Sequence, residues 1–351
     1  MPFVHDGRLE KGVMLISFTS TFAYFHHNVD CEKLLRYFYV VLEPSWSGYA
    51  EPNILFWTKH APHPVVVQAT DEKDYSFLRR LNSNLVPMPI GASDWVDDRV
   101  FRPLPQTEKQ YDAIYVTNYD PLKRHHVLFK ALKRLNDPTF RVAMVFGDNG
   151  NAGPEISQLI DHFNVRVNFK LYNCMPQKDL NVILNMSKVN MLLSLKEGSN
   201  RSIFEGFFAN VPGIVLRRNR GVRKDYINRM TGRLIDETDL TQALVHFRHE
   251  WERYRPREWA SANIAPTVTT EKLSDLLKGI AESNREMWSA GLLPKVNSPE
   301  VTYLNPEDAQ RMPDSEAIIE LFSHRRLAKS AGDHTLESSL WQLYERARIG
   351  G

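Results

Sequence analysis

Apolar and polar positions along this chain follow two alternating periods. From Asp112 onward, short apolar runs bounded by polar or glycine-containing turns alternate with segments whose apolar residues recur at three- and four-residue spacing. The runs Ala113–Thr117, Arg141–Phe146, Val165–Phe169, Val189–Leu195 and Ile214–Leu216 are expected to be strands. Helices are expected over Lys123–Leu135, with Val127, Leu128, Ala131, Leu132 and Leu135 on the buried face, and over Pro154–Phe163 and Gln177–Ser187. Another begins after Glu197-Gly198, where Ile203, Phe204, Phe207 and Phe208 form an apolar face. Strict alternation with right-handed crossovers assembles into a parallel sheet covered by helices.

The first 105 residues are less regular. Val13–Phe18, Ile54–Trp57, Pro64–Ala69 and Asn84–Met88 are expected strands, and Asp74–Leu81 an expected helix. Pro103 and Pro105 mark a boundary. Beyond Asp236, helices are expected over Leu240–Arg253 and Thr270–Ser283, separated by Pro256 and Pro266. A proline-punctuated tail from Gly291 becomes helical over Glu316–Leu327 and Leu336–Arg348 and carries no apparent chemistry.

Composition narrows the function classes. The 351 residues suffice for two domains, and 42% hydrophobic with 25% charged residues is ordinary for a globular protein. A net charge of +2 gives no electrostatic case for nucleic acid. The short basic cluster Arg217-Arg218-Asn219-Arg220 is expected to be a solvated loop, with phosphate or lipid head-group contact as the alternative. Cys31 and Cys174 lack metal-ligand spacing and point to a reducing compartment. With no signal-peptide pattern and no apolar run near the ~20 residues of a membrane span, a cytoplasmic location is expected, peripheral membrane contact remaining open.

The stretch KEGSNRSIFEGFFANVPGIV, Lys196–Val215, holds the most specific chemistry. It places Glu197 at the carboxyl end of a strand and Glu205 in the first turns of the following helix. Ser199, Asn200 and Ser202 are available as caps. Helix N-termini at that edge of a parallel sheet attract phosphate. Carboxylates there suit the hydroxyls flanking a diphosphate, as in a nucleotide sugar. Ser202-Ile203-Phe204-Glu205 also fits a capping box, in which Glu205 would satisfy only backbone donors.

Glu197, seven intervening residues, Glu205 and then the Val211-Pro212-Gly213 turn before a hydrophobic strand resemble the donor-site signature of retaining GT-B glycosyltransferases of the family 4-like group. The resemblance covers roughly Tyr111 to Asp236. It implies an α/β GT-B fold of two Rossmann-like domains facing a cleft, the N-terminal one shortened, plus the helical tail. The expected divisions are 1–108 (acceptor side), 109–285 (nucleotide-sugar side) and 286–351 (tail). The last helices are expected to cross back to the first domain, which the tail would cover.

The resemblance also implies roles. Glu197 contacts the donor sugar and Glu205 the ribose. Lys123 matches a lysine that binds the diphosphate, while Asn118 stands where an arginine is expected; Arg124 and Arg201 are candidate substitutes. Gly147-Asp148-Asn149-Gly150 resembles the glycine loop beside the nucleotide, and backbone N–H groups of Gly198, Ser199 and Asn200 would assist. The implied donor is a nucleotide-diphosphate sugar with no further cofactor or metal, and the acceptor a glycan, lipid or small molecule.

Other signals add little. No Asp-x-Asp occurs, and Gly-x-Ser-x-Gly and P-loop patterns are lacking. His60-Ala61-Pro62-His63 has no evident carboxylate or cysteine partner for zinc, and His26, His27, His125 and His126 fit surface or packing positions better than contact with acceptor or phosphate. The alternatives to transfer are a non-catalytic binding or scaffold subunit, and an epimerase or hydrolase on the same fold.

Overall fold

A computed structural model of the chain describes residues 1–5, 8–147, 152–297, 301–310 and 312–324, with 336, 338–343 and 345. Contacts gather the chain into two units, Met1–Trp95 with Pro266–Gly351, and Val96–Ala265. These breaks precede the sequence boundaries at 108 and 285. Val96 and Phe101 are buried in the second unit's core, and Arg102 and Leu104 donate their N–H groups to Asn181 and Asn185 of that unit, so the proline segment is part of it.

In the first unit, a hairpin of β1 (Phe3–His5) and β2 (Arg8–Glu10) precedes four parallel strands, β3 (Gly12–Ser17), β4 (Phe38–Glu43), β5 (Val65–Gln68) and β6 (Leu85–Met88), in that spatial order. Helices α1 (Thr19–Asn28), α2 (Cys31–Tyr37), α3 (Pro52–Leu55) and α4 (Glu72–Leu81) join them. The expected strand over Ile54–Trp57 is instead α3 and a 3-10 turn over Phe56–His60, because Pro52 is preorganised for a helical first turn. β4 lies buried on both faces.

The second unit holds six parallel strands, β7 (Ala113–Thr117), β8 (Arg141–Phe146), β9 (Asn168–Tyr172), β10 (Asn190–Leu192), β11 (Gly213–Leu216) and β12 (Gly232–Ile235). Their spatial order is β9-β8-β7-β10-β11-β12, so the winding direction reverses between β7 and β10. Alternate residues feed two cores: Tyr115, Met144, Met191 and Ile214 one, Ile114, Val145, Leu192 and Val215 the other. Helices α5 (His125–Leu135), α6 (Ala152–Phe163) and α9 (Leu240–Glu250) contribute to the first core. Helices α7 (Gln177–Asn185), α8 (Arg201–Phe208) and α10 (Pro256–Asn263) contribute to the second. The strand expected over Val165–Phe169 begins three residues later, where Asn168 pairs with Arg141 of β8.

The chain then returns to the first unit. α11 (Pro266–Ser283) packs Leu273, Leu277 and Ala281 against Tyr39, Val41 and Val66. A hairpin of β13 (Lys295–Asn297) and β14 (Val301–Tyr303) follows, then α12 (Pro306–Gln310) and α13 (Ser315–Leu321). Ile318, Leu321, Phe322, Leu336 and Leu340 complete the core on the opposite sheet face, so the tail does cover this shortened unit. Of the last expected helix, 336, 338–343 and 345 are helical and the remainder lies outside the described residues. Among the described residues, no helix is long and apolar enough to cross a membrane.

Candidate functional site

The reversal between β7 and β10 opens the carboxyl edge of the second sheet, where α/β proteins bind ligands. Lys123 reaches this edge from β7. Asp120 accepts the Leu122 N–H at 2.7 Å and caps a 3-10 turn over Pro121–Lys123, while the Tyr115 hydroxyl donates to the Lys123 carbonyl. Arg124 follows at φ 59°, so α5 starts only at His125. The expected helix start at Lys123 is therefore corrected. Lys123 stands outside α5, at the end of the 3-10 turn.

Lys123 Nζ meets both oxygens of Glu197, at 2.7 and 3.0 Å. The Glu197 side chain is buried, and Ser194 holds it from a second side. Ser194 Oγ donates to Oε1 at 2.6 Å, and Asn219 Nδ2 holds Ser194 through its carbonyl at 2.9 Å. The backbone N–H of Glu197 donates to the Arg220 carbonyl at 2.8 Å, while Arg220 N–H donates to Leu195 at 2.8 Å. Gly221, at φ +97°, closes this contact; a Cβ there would stand 1.9 Å from the Glu197 carbonyl oxygen.

Asn200 caps α8, its side chain accepting from Ile203 N at 3.2 Å and from Ser202 Oγ at 3.0 Å. With the cap at Asn200, Glu205 lies in the second turn, too far along for a capping box. Its carboxylate is buried with no hydrogen-bond donor among the described residues. Burial pushes its pKa up to about 7, opposed by the charge of Arg201 at the start of the same helix. Gly198 and Ser199, both half-buried, connect Glu197 to the cap.

The remaining expected residues divide. Asn118 and Gly147, at the ends of β7 and β8, are in contact; a Cβ on Gly147 would lie 2.3 Å from Asn118 Oδ1. Asp148, Asn149 and Gly150 of that loop lie outside the described residues. Arg124 turns to Glu237, Nη2 lying 2.7 Å from Oε1, and leaves Nη1 buried without a partner among the described residues. His125 is a packing residue, buried among Tyr115, Tyr119 and Phe146, its pKa lowered by burial to about 4. Asn219 and Arg220 depart from the expected solvated cluster, Asn219 being fully buried and Arg220 half-buried; only Arg217 and Arg218 are exposed.

Ser194, Asn219, Gly221 and Glu237 escape sequence reasoning. Ser194 lies only three residues from Glu197 without any marking pattern, the partners of the other three are distant along the chain, and only the glycine after Arg220 offers a signal. In the first unit, His60 and His63 do have a carboxylate between them, Glu32, at 3.4 and 3.3 Å. Among the described residues, no group of three or more His, Cys, Asp or Glu is placed to hold a metal.

The two parallel α/β sheets with their helices match the GT-B fold. Residues 96–253 match the family model described as glycosyl transferases group 1. The chain is similar in structure to TarM, at 15% identity over 74% of this chain and 54% of that one, with a TM-score of 0.56. It is likewise similar to a sucrose-phosphate synthase from Thermosynechococcus elongatus, at 16% identity over 77% and 74%, TM-score 0.58. Anabaena Alr3699/HepE, solved in complex with UDP-glucose, is similar at 14% identity over 76% and 78%, TM-score 0.57. The chain spans about half the length of TarM. No curated protein matches it by sequence.

Proposed function

We propose that this chain is a glycosyltransferase that moves a sugar from a nucleotide-diphosphate donor to a hydroxyl of a glycan, lipid or small-molecule acceptor. In this reading the bond between the anomeric carbon and the diphosphate breaks, the acceptor oxygen takes its place with retention, and the acceptor proton is released. Lys123 and Arg201 stabilise the charge growing on the leaving diphosphate, so no metal is called for. Glu197 orients the donor sugar, and Glu205 accepts from the ribose hydroxyls. The Anabaena neighbour's complex with UDP-glucose makes a uridine donor the first choice.

One observation carries the proposal. A lysine is held on a buried glutamate at the topological switch point, and the nearby helix carries a second buried carboxylate with no donor among the described residues. The test is release of UDP from UDP-glucose, with sugar appearing on an added acceptor. A non-catalytic binding role is favoured by Asn118 at the place of the expected arginine. It predicts nucleotide binding without donor consumption. Consumption without any acceptor would instead indicate hydrolysis.

A further inference from the structure

The first unit carries a half-open cavity of about 470 Å³. This lies within the ~300–1,000 Å³ typical of small-molecule sites. Val13 and Leu15 of β3, Leu273 of α11, and Leu292 and Leu293 give it apolar walls. One end is polar and falls at the carboxyl edge of β3 and β4, where Ser17 and Lys295 line it. Lys295 Nζ lies 3.3 Å from Glu43 Oε2, also donates to Asn297, and sits 3.8 Å above the Trp95 ring. Glu43, itself buried, accepts further from Ser17 Oγ at 3.1 Å and Asn297 Nδ2 at 3.1 Å.

Charge selects the class of ligand. The single lysine at this end is matched by a carboxylate, so a phosphate or carboxylate head would gain no net attraction and would lose its hydration. A neutral hydroxyl exchanges hydrogen bonds with Ser17 and the pair without that cost. The aliphatic walls require an apolar body on the same molecule. The residue after Ser17 adds an independent sign. Phe18 is 62% exposed and held at φ 69°, its N–H donating to the Glu43 carbonyl at 3.0 Å. A bulky residue in that region of φ is strained, and such strain concentrates at ligand sites.

We propose that this cavity binds a neutral amphiphile, its apolar chain between β3 and α11 and its hydroxylated head at Ser17 and the Glu43–Lys295 pair. The site is independent of the donor-site reading. The test is calorimetric titration of the full chain with octyl glucoside below its micellar concentration, with glucose and octanoate as comparisons. Leu293→Trp and Thr302→Trp, both at partly exposed wall positions, fill the space with little demand on folding. We expect saturable one-to-one binding of octyl glucoside, with glucose, octanoate and both variants each weaker by roughly tenfold or more. Absence of saturable binding, octanoate binding as tightly, or unchanged binding in either variant would overturn the proposal. UDP titrated into the same samples reports on the other unit, so failure of one site is distinguishable from failure of the other.

Discussion

Lys123 and Glu197, 74 residues apart in sequence, form a two-point ion pair at the edge where the second sheet reverses. In the function proposed above, a diphosphate drawing on Lys123 competes with a carboxylate already in place and leaves Glu197 to accept from sugar hydroxyls.

Replacing Lys123 by Met removes the cation meant for the leaving group. Transfer should fall by roughly 10²–10³-fold. Unfolding free energy should drop by about 1–3 kcal/mol, since Glu197 loses its counter-charge while remaining buried. Steady-state transfer and urea denaturation measure the two effects. A variant that melts lower yet transfers normally would leave the pair a purely structural role.

Glu205 gives a pH signature. Its folded pKa of about 7 exceeds the ordinary 4.5, so the folded state holds this proton more tightly than the unfolded state. The resulting stabilisation is complete below pH 4.5 and is lost as pH rises through 7, about 3 kcal/mol in all. Glu205→Gln has no such loss, so its stability relative to wild type should rise between pH 4 and pH 8. A difference that stays flat with pH would refute the burial account. Ribose hydroxyls favour the carboxylate, so nucleotide binding near pH 6.5 should release a proton, seen as a binding enthalpy that varies with buffer.

Two glycines make a contrast. Gly221→Ala forces a Cβ against the Glu197 carbonyl at positive φ. It should cost about 1–3 kcal/mol and reduce transfer by displacing Glu197. Gly279 lies exposed within α11, and a Cβ added to it would meet open space, so Gly279→Ala should stabilise by about 0.5–1 kcal/mol. Thermal melts of both test whether the local geometry is right.

The second unit is legible in the sequence because its strands and helices switch period at clear turns. The capping-box alternative for Glu205 is removed only by the cap at Asn200, a choice among Ser199, Asn200 and Ser202 that spacing alone does not make. β4 escapes a reading of the sequence because Tyr37 of α2 runs directly into Phe38 with no turn residue between them. The Lys123–Glu197 contact and the hold of Asn219 on Ser194 depend on how strands stack in the sheet, which no local pattern encodes. Arg124 is a candidate for phosphate by proximity to Lys123. Its left-handed backbone turns the side chain to Glu237, a residue far along the chain.

The most direct test is calorimetric titration of wild type and Glu205→Ala with UDP, GDP and ADP at pH 8, where the carboxylate is ionised. Selective binding of one nucleotide is expected, weakened in the variant by roughly 10–100-fold, or ~1.5–3 kcal/mol for a lost charged hydrogen bond. Failure of wild type to bind any of the three, or equal binding by the variant, would contradict the donor site described for this chain.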